Sequence, residues 1–229
     1  MNVLVEPIKA EFGLSDFQIG LVNGLAFAAL NVILGLAVAR YAERSRRLTL
    51  VAIGTLLWSV ATALTGMAGS FIQLVLARVG VGVGEAVGLP TTSSIISDYF
   101  PKDKRATAMS ILHLSPPIGA FLGAAGGSLI AQAWGWQYAL YAAAAPGLML
   151  AVLLHLFVAE PVRGQHDDVS DKASVPPMKE VIARYWLRPT MRHFLAGSAI
   201  ASMVGFGLNA FLAAYLSRRF GFTLVEAGL

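Results

Sequence analysis

The chain has 229 residues, 56% hydrophobic and only 13% charged, with a formal net charge of +4. Soluble domains carry roughly 25% charged residues; a water-soluble fold of this size could not hide so much apolar surface, so the solvent is lipid. Cysteine is absent, which excludes a disulfide framework and a thiolate metal site.

Taken in chain order, Met1 is not followed by the charged and apolar regions of a signal peptide. Met1 to Pro7 instead reads as the outer end of a helix whose upstream part is missing. Six complete membrane helices are predicted, near 17–41, 48–68, 71–99, 106–132, 137–159 and 193–217. Phe17 to Ala39 and His193 to Ser217 are each uncharged and long enough to cross about 30 Å of hydrocarbon. Leu48 to Ala77 is one span plus a turn at residues 66–70, and the next span continues through Arg78 to Tyr99. Ala106 to Ala159 contains no Asp, Glu, Lys or Arg, enough for two spans hinged at Trp134-Gly135-Trp136. Continuous apolar runs of this kind exclude a transmembrane barrel, whose strands are short and alternating.

The basic residues fall on alternate loops. Arg40, Arg44, Arg46 and Arg47 follow the first full span, and Lys102, Lys104 and Arg105 follow the third. Arg163, Lys172, Lys179, Arg184, Arg188 and Arg192 follow the fifth, whereas the remaining loops carry Lys9, Arg218 and Arg219. This asymmetry places loops 40–47, 100–105 and 160–192 in the cytoplasm. It explains the basic surplus as an orientation signal and leaves no nucleic-acid patch. Residues 161–192 form the connection between two bundles, marked by Pro161, Gly164, Pro176, Pro177 and a charged run at 166–172. The end of this linker, Lys179 to Trp186, is expected to form a short interfacial helix.

One span carries opposite charges. A charge inside a membrane helix costs at least about 2.5–3.5 kcal/mol on insertion scales, so such residues usually face a polar interior. Arg78 and Glu85 stand seven residues apart, nearly two turns, which puts Arg78, Gly82 and Glu85 on one face with roughly 10.5 Å between the charged positions. Gly82 leaves room for the guanidinium to reach the carboxylate or a ligand. An ion pair that glues helices together would account for both residues. A substrate pathway accounts for them too, because the arginine fork suits a phosphate or carboxylate and a ligand bound there would release Glu85 to take up a proton. His113 is a candidate proton relay. Thr91, Thr92, Ser93 and Ser94 either line a cavity or bond back to their own helix, while Asn23, Asn31 and Asn209 read as interhelical hydrogen-bonding groups and His155 as interfacial. Gly80, Gly82, Gly84 and Gly88 follow no strand, so close helix packing accounts for them better than a nucleotide loop does.

Two segments repeat. Glu11-Phe-Gly-Leu-Ser-Asp-Phe-Gln-Ile-Gly-Leu21 resembles Arg219-Phe-Gly-Phe-Thr-Leu-Val-Glu-Ala-Gly-Leu229, and both lie on the non-cytoplasmic side. A parallel repeat of about six helices is a transporter architecture. The expected organisation is an N-terminal bundle at 1–160, a cytoplasmic linker at 161–192 and the start of a second bundle at 193–229, as a fragment of a longer chain.

Four motifs now resemble the major facilitator superfamily, and the detail resembles its spinster-like branch of lipid transporters. They are Arg78-Val-Gly-Val-Gly-Val-Gly-Glu-Ala86 followed by Ser94-Ile-Ile-Ser-Asp-Tyr-Phe-Pro101; Lys102-Asp-Lys-Arg-Ala-Thr-Ala-Met-Ser110; Pro117-Ile-Gly-Ala-Phe-Leu-Gly-Ala-Ala-Gly-Gly127; and Trp134-Gly-Trp-Gln-Tyr-Ala139. The resemblance implies an all-α fold of two six-helix halves, here the first half with most of its first helix missing plus the first helix of the second. The loop motif of the superfamily would be Ala42-Glu43-Arg44-Ser45-Arg46-Arg47, departing from the usual form by Glu43 for Asp, Ala39 for the motif glycine and Arg46 for the second glycine. Its arginines Arg44 and Arg47 can reach Asp98, making Glu43, Arg44, Arg47 and Asp98 a cytoplasmic latch that breaks as helices rock; solvated orientation charges are the simpler account.

The resulting expectation is a secondary active transporter in which Arg78, Glu85, His113 and Thr92 serve substrate and proton coupling, with no cofactor and no metal. Resemblance to the branch implies an amphipathic anionic lipid, such as a lysophospholipid or sphingoid phosphate, moved with protons. A small organic acid or sugar acid would also suit Arg78. An intramembrane enzyme is not expected, since neither Gly-x-Ser-x-Gly nor His-Glu-x-x-His occurs. A non-transporting receptor would tolerate loss of the Glu85 charge; a coupled carrier would not.

Overall fold

A computed structural model describes residues 2–23, 33–35, 37, 38, 40–42, 45–166 and 178–228. A 3-10 turn, Asn2–Leu4, leads into α1 (Val5–Phe12) and α2 (Asp16–Asn23). There follow α3 (Arg47–Gly66), α4 (Phe71–Glu85), α5 (Gly88–Tyr99), α6 (Lys102–Trp134) and α7 (Trp136–Phe157). Then come α8 (Met178–Leu187), α9 (Pro189–Phe220) and α10 (Leu224–Gly228). The described residues contain no strand. Much of the span expected at 17–41 lies outside the described residues.

Among the described residues, Arg47–Gly66, Phe71–Tyr99, Lys102–Trp134 and Trp136–Phe157 are long and apolar enough to cross a membrane. The span expected as one helix at 71–99 is interrupted at Ala86 and Val87, between α4 and α5. Pro90 explains the position: it offers no N–H to the carbonyl four residues back, Ala86, and its ring crowds that group. Lys102, Lys104 and Arg105, expected in a loop, form the first turn of α6. The N–H groups of Lys104 and Arg105 bond the Pro101 carbonyl at 2.9 and 3.1 Å. Long basic side chains reach water from a helix end, so charge alone did not mark the boundary. The hinge at 134–136 is a single residue, Gly135, at φ +101°.

The repeated segments share a local structure. Gly13 ends α1 at φ +60° and Gly221 ends α9 at φ +72°, both in the left-handed region that favours glycine. Each is followed by a reciprocal cap. Ser15 Oγ accepts from the Gln18 N–H at 3.2 Å while Gln18 Oε1 accepts from the Ser15 N–H at 2.8 Å. Thr223 Oγ1 likewise accepts from the Glu226 N–H at 3.3 Å, and Glu226 Oε2 accepts from the Thr223 N–H at 2.8 Å. Ser-x-x-Gln and Thr-x-x-Glu are two spellings of one capping box.

Helix α3 is the hub: it packs along α7 and α4 and also meets α5. Small residues make this possible. A Cβ on Gly84 would lie 2.5 Å from the Trp58 nitrogen and 2.6 Å from the Gly54 carbonyl oxygen, so the backbones of α3 and α4 nearly touch. On the other side of α3, the Ser59 hydroxyl fills the space a Cβ on Gly147 of α7 would need. Gly88 is different. A Cβ there meets nothing within 4 Å, so close packing does not account for that member of the glycine series.

Buried apolar side chains gather at the end of the bundle opposite the basic loops, called here the outer end. Leu4, Val5 and Ile8 pack with Leu74, Trp136 and Leu140, and α9 adds Ala213 and Ala214 to the same cluster. Residues 192–204 of α9, toward the other end, are exposed.

Candidate functional site

Helix α4 is set by its own start. Ser70 Oγ accepts from the Gln73 N–H at 3.3 Å, capping the helix at Phe71. Counting from there, Arg78 falls two turns in and Glu85 is the last helical residue, just before the break. Arg78 is half-buried, Gly82 is buried and Glu85 is exposed. The two charges lie within Coulombic reach of each other. Glu85 ends the helix at the point where α4 gives way to α5.

The other candidates near this helix divide. Thr91 is 1% exposed and Thr92 half-buried. Ser93 Oγ donates back to the Leu89 carbonyl at 2.8 Å. Ser94 Oγ accepts from Arg47 Nη1 at 2.9 Å. His113 is exposed on α6 and His155 exposed near the end of α7. Asn31 and the side chains of Asn23 and Asn209 lie outside the described residues. A cleft of about 290 Å³ among the described residues is bounded by Val3, Leu4, Gly119, Gly123 and Leu140, and none of Arg78, Glu85, Thr92 and His113 lines it.

At the end carrying the basic loops, Arg47 Nη2 meets Asp98 Oδ2 at 2.5 Å, with side-chain exposures of 5% and 7%. Asp98 also accepts from the Gly164 N–H at 2.9 Å through Oδ1, and its carbonyl accepts from Gln165 Nε2 at 2.7 Å. Glu43 and Arg44 lie outside the described residues. The sequence reading missed Glu160. Its Oε1 and Oε2 accept from the backbone N–H groups of Arg47 and Leu48 at 2.9 and 2.8 Å, and Oε1 stands 3.4 Å from Arg47 Nε. Arg46, at the N-cap of α3, gives no side-chain cap. The carboxylate that satisfies those first donors comes from beyond α7, where it also suits the positive end of the helix. The available signal was an acid placed at the end of a long uncharged run and followed by Pro161.

Arg163 closes the same end, its Nη2 donating to the Ala42 carbonyl at 2.9 Å and to the Ser45 carbonyl. Tyr99 Oη donates to the Ala159 carbonyl. Four segments therefore converge on Arg47 and Asp98, namely α3, α5, Glu160 beyond α7 and the turn at 162–165, and Arg163 ties in the residues before α3.

At the outer end a second charged group forms around Arg218, the last basic residue but one of α9. Its Nη2 lies 2.6 Å from Glu6 Oε1 of α1 and 2.8 Å from Asp16 Oδ1 of α2. Lys9 Nζ also reaches Asp16 Oδ1 at 2.6 Å. Hydrogen bonds from Arg218, then from Lys9, hold the Asp16 carboxyl well below the usual carboxylate range. Near by, Trp136 Nε1 donates to Glu11 Oε2 at 2.6 Å and so ties α1 to the start of α7. Among the described residues no group of His, Asp and Glu side chains could hold a metal ion.

The whole chain, residues 1–229, matches the Major Facilitator Superfamily. It is 33% identical over 232 residues to an MFS-type efflux pump of Mycolicibacterium smegmatis, covering 100% of this chain and 52% of the pump. It is 32% identical over 167 residues to the sphingosine-1-phosphate transporter SPNS2 of Danio rerio, covering 70% of this chain and 32% of that protein. A solved structure of a bacterial homologue of the human lysosomal transporter Spinster, in an inward-facing and unoccupied conformation, superposes with a TM-score of 0.84 at 32% identity. That match covers 99% of this chain and 53% of the homologue.

The chain belongs to the major facilitator superfamily, on its spinster-like branch, and is a multi-pass integral membrane protein. It spans about half the length of the efflux pump and of the bacterial homologue. Within this fold, α3 to α7 belong to the first half and α9 opens the second.

Proposed function

We propose that the protein is a secondary active transporter working by alternating access, with a bundle at 1–160, a cytoplasmic linker at 161–192 and a second bundle beginning at 193. The twin capping boxes at Ser15 and Thr223 support the two-bundle reading, because each introduces a helix at equivalent positions of the two halves. Arg78 and Glu85 serve the substrate and the proton. The carrying observation is that Glu85 is exposed at the helix break while Arg78, on the same helix face, is half-buried. A carboxylate left exposed inside a membrane is costly unless it faces a wet pathway, so the exposure of Glu85 supports such a pathway. Thr92, half-buried two turns beyond Glu85, and His113 complete the polar set.

The substrate is an amphipathic anion of the lysophospholipid or sphingoid phosphate class. The similarity to a sphingosine-1-phosphate transporter supports this class, and a guanidinium fork binds such a head group through two parallel hydrogen bonds. Arg47 and Asp98, with Glu43 and Arg44, act as the cytoplasmic gate. Occupancy of Arg78 by the anion weakens its hold on Glu85, so substrate binding and proton uptake are linked.

The test is accumulation of a lysophospholipid or sphingoid phosphate by proteoliposomes of the full chain under an imposed pH gradient. Glu85→Gln is expected to abolish gradient-driven accumulation while leaving the protein folded; undiminished accumulation would remove Glu85 from the coupling. Small organic acids tested in the same vesicles separate a lipid carrier from an acid carrier.

A further inference from the structure

We propose that Arg218 is the outer gate of the cycle, a clasp between the two halves of the fold that must release before the outer mouth can open. This inference rests on the alternating-access reading. Three elements meet at one guanidinium: α9, which opens the second half, and α1 and α2, which belong to the first. The sharing is unusually complete. Nη2 lies 2.6 Å from Glu6 Oε1 and 2.8 Å from Asp16 Oδ1, Nε adds a bond to Glu6 Oε1 at 2.9 Å, and Nη1 adds one to Asp16 Oδ2 at 3.1 Å. Asp16 therefore receives the guanidinium through both of its oxygens. A planar fork bridging two carboxylates fixes the relative orientation of both helices, which a lysine could not do. Lys9, 2.6 Å from Asp16, supplies the second positive charge that balances two acids.

Beneath the clasp the same elements make an apolar seam. Ala213 and Ala214 of α9 are 9% and 3% exposed, within the cluster that includes Leu4, Val5 and Ile8. Away from the clasp, residues 192–204 of the same helix are exposed. Among the described residues, α9 meets the first half at its outer end, through the 3-10 turn and α1. Contact at that end is what a carrier closed outside requires, and the similar Spinster homologue is in an inward-facing conformation.

The two charged groups also differ in their exposure to water. Arg47 and Asp98 are almost wholly shielded from water, with side-chain exposures of 5% and 7%. Arg218, Glu6 and Asp16 are 42%, 33% and 51% exposed. When the outer pair separates, water is already at hand to take up each charge, so the contact can break and reform in every cycle. In the apolar seam beneath, α9 contributes the small side chains Ala213 and Ala214, with Phe211 packed against the same cluster.

The experiment is a distance measurement between spin labels in the full chain, reconstituted in lipid. These 229 residues contain no cysteine, so labels at Phe17→Cys and Phe222→Cys, both exposed at the outer end, report the mouth directly. Arg218→Gln and the double variant Glu6→Gln with Asp16→Asn are each expected to raise the longer-distance population severalfold, with Arg218→Lys intermediate. If both neutralised proteins keep the wild-type distribution, the clasp is not a gate. The double variant keeps the test open should Arg218→Gln fail to fold. Uptake by the same proteins separates the two proposals: unchanged distances alongside normal uptake overturn the gate alone, whereas shifted distances without uptake in any protein leave the clasp and overturn the carrier.

Discussion

The guanidinium of Arg47 and the carboxylate of Asp98 meet at 2.5 Å with almost no access to water, and they join the first residue of one membrane helix to the last turn of another. Taking two charges out of water is costly, and a buried pair is tolerated only when further hydrogen bonds satisfy what remains. Ser94 and Glu160 do this for Arg47, and the Gly164 N–H does it for Asp98.

Removing one partner should therefore be expensive. Asp98→Ala leaves Arg47 buried with only Ser94 and the more distant Glu160 and is expected to destabilise the protein by up to about 3 kcal/mol, the lower end for a broken buried pair. Replacing both, with Arg47→Met and Asp98→Leu, should cost clearly less than the sum of the single changes. Thermal unfolding of the four proteins in detergent checks this, and an additive loss would mean that the two side chains do not depend on each other.

The crossing of α3 and α4 gives a sharper contrast. A Cβ on Gly84 would press on backbone atoms of Trp58 and Gly54, which cannot swing aside as a side chain could. Gly84→Ala is expected to cost about 1–3 kcal/mol, the usual range for overpacking. Gly88→Ala, four residues on and facing open space, should be neutral or stabilising by up to about 1 kcal/mol through the smaller entropy of the unfolded chain. Equal melting shifts for the two variants would contradict the packing described here.

The clasp at Asp16 should leave a signature in acid. Its carboxyl titrates below the ordinary carboxylate range because Arg218 and Lys9 stabilise the charged form. A group depressed in the folded state contributes its stability above the unfolded value, near about 4 for Asp, and loses it as pH falls through the lower folded value. The melting difference between wild type and Arg218→Gln is therefore expected to stay level from pH 8 to about pH 5 and to shrink below about pH 4. A difference that instead disappeared between pH 6 and 8 would point to a group other than Asp16.

Much of this architecture could be read before any coordinates were known. Long apolar runs locate the spans between 47 and 157 because a backbone in lipid must satisfy its own polar groups, and continuous rather than alternating runs do so as helices. The repeat at Glu11 and Arg219 was legible because a left-handed glycine and a reciprocal cap need particular residues at fixed spacing, Gly13 with Ser15 and Gln18 and again Gly221 with Thr223 and Glu226. The pairing of Arg47 with Asp98 was within reach of the same reasoning, since both stand at helix ends on one side of the membrane.

What the sequence by itself determined is local or one-dimensional: which segments lie in lipid, which way they run, where helices can begin and stop, and that Arg78 and Glu85 share a face. Tertiary structure alone decided who meets whom across long stretches of chain. Nothing near Arg46 announces that the cap of α3 is Glu160, and nothing near Phe220 announces that Arg218 will bridge Glu6 and Asp16. Charge at a helix end signals an orientation whether or not a partner is present; only the packing of α9 against α1, and of α3 against α7, brings those partners within hydrogen-bonding distance.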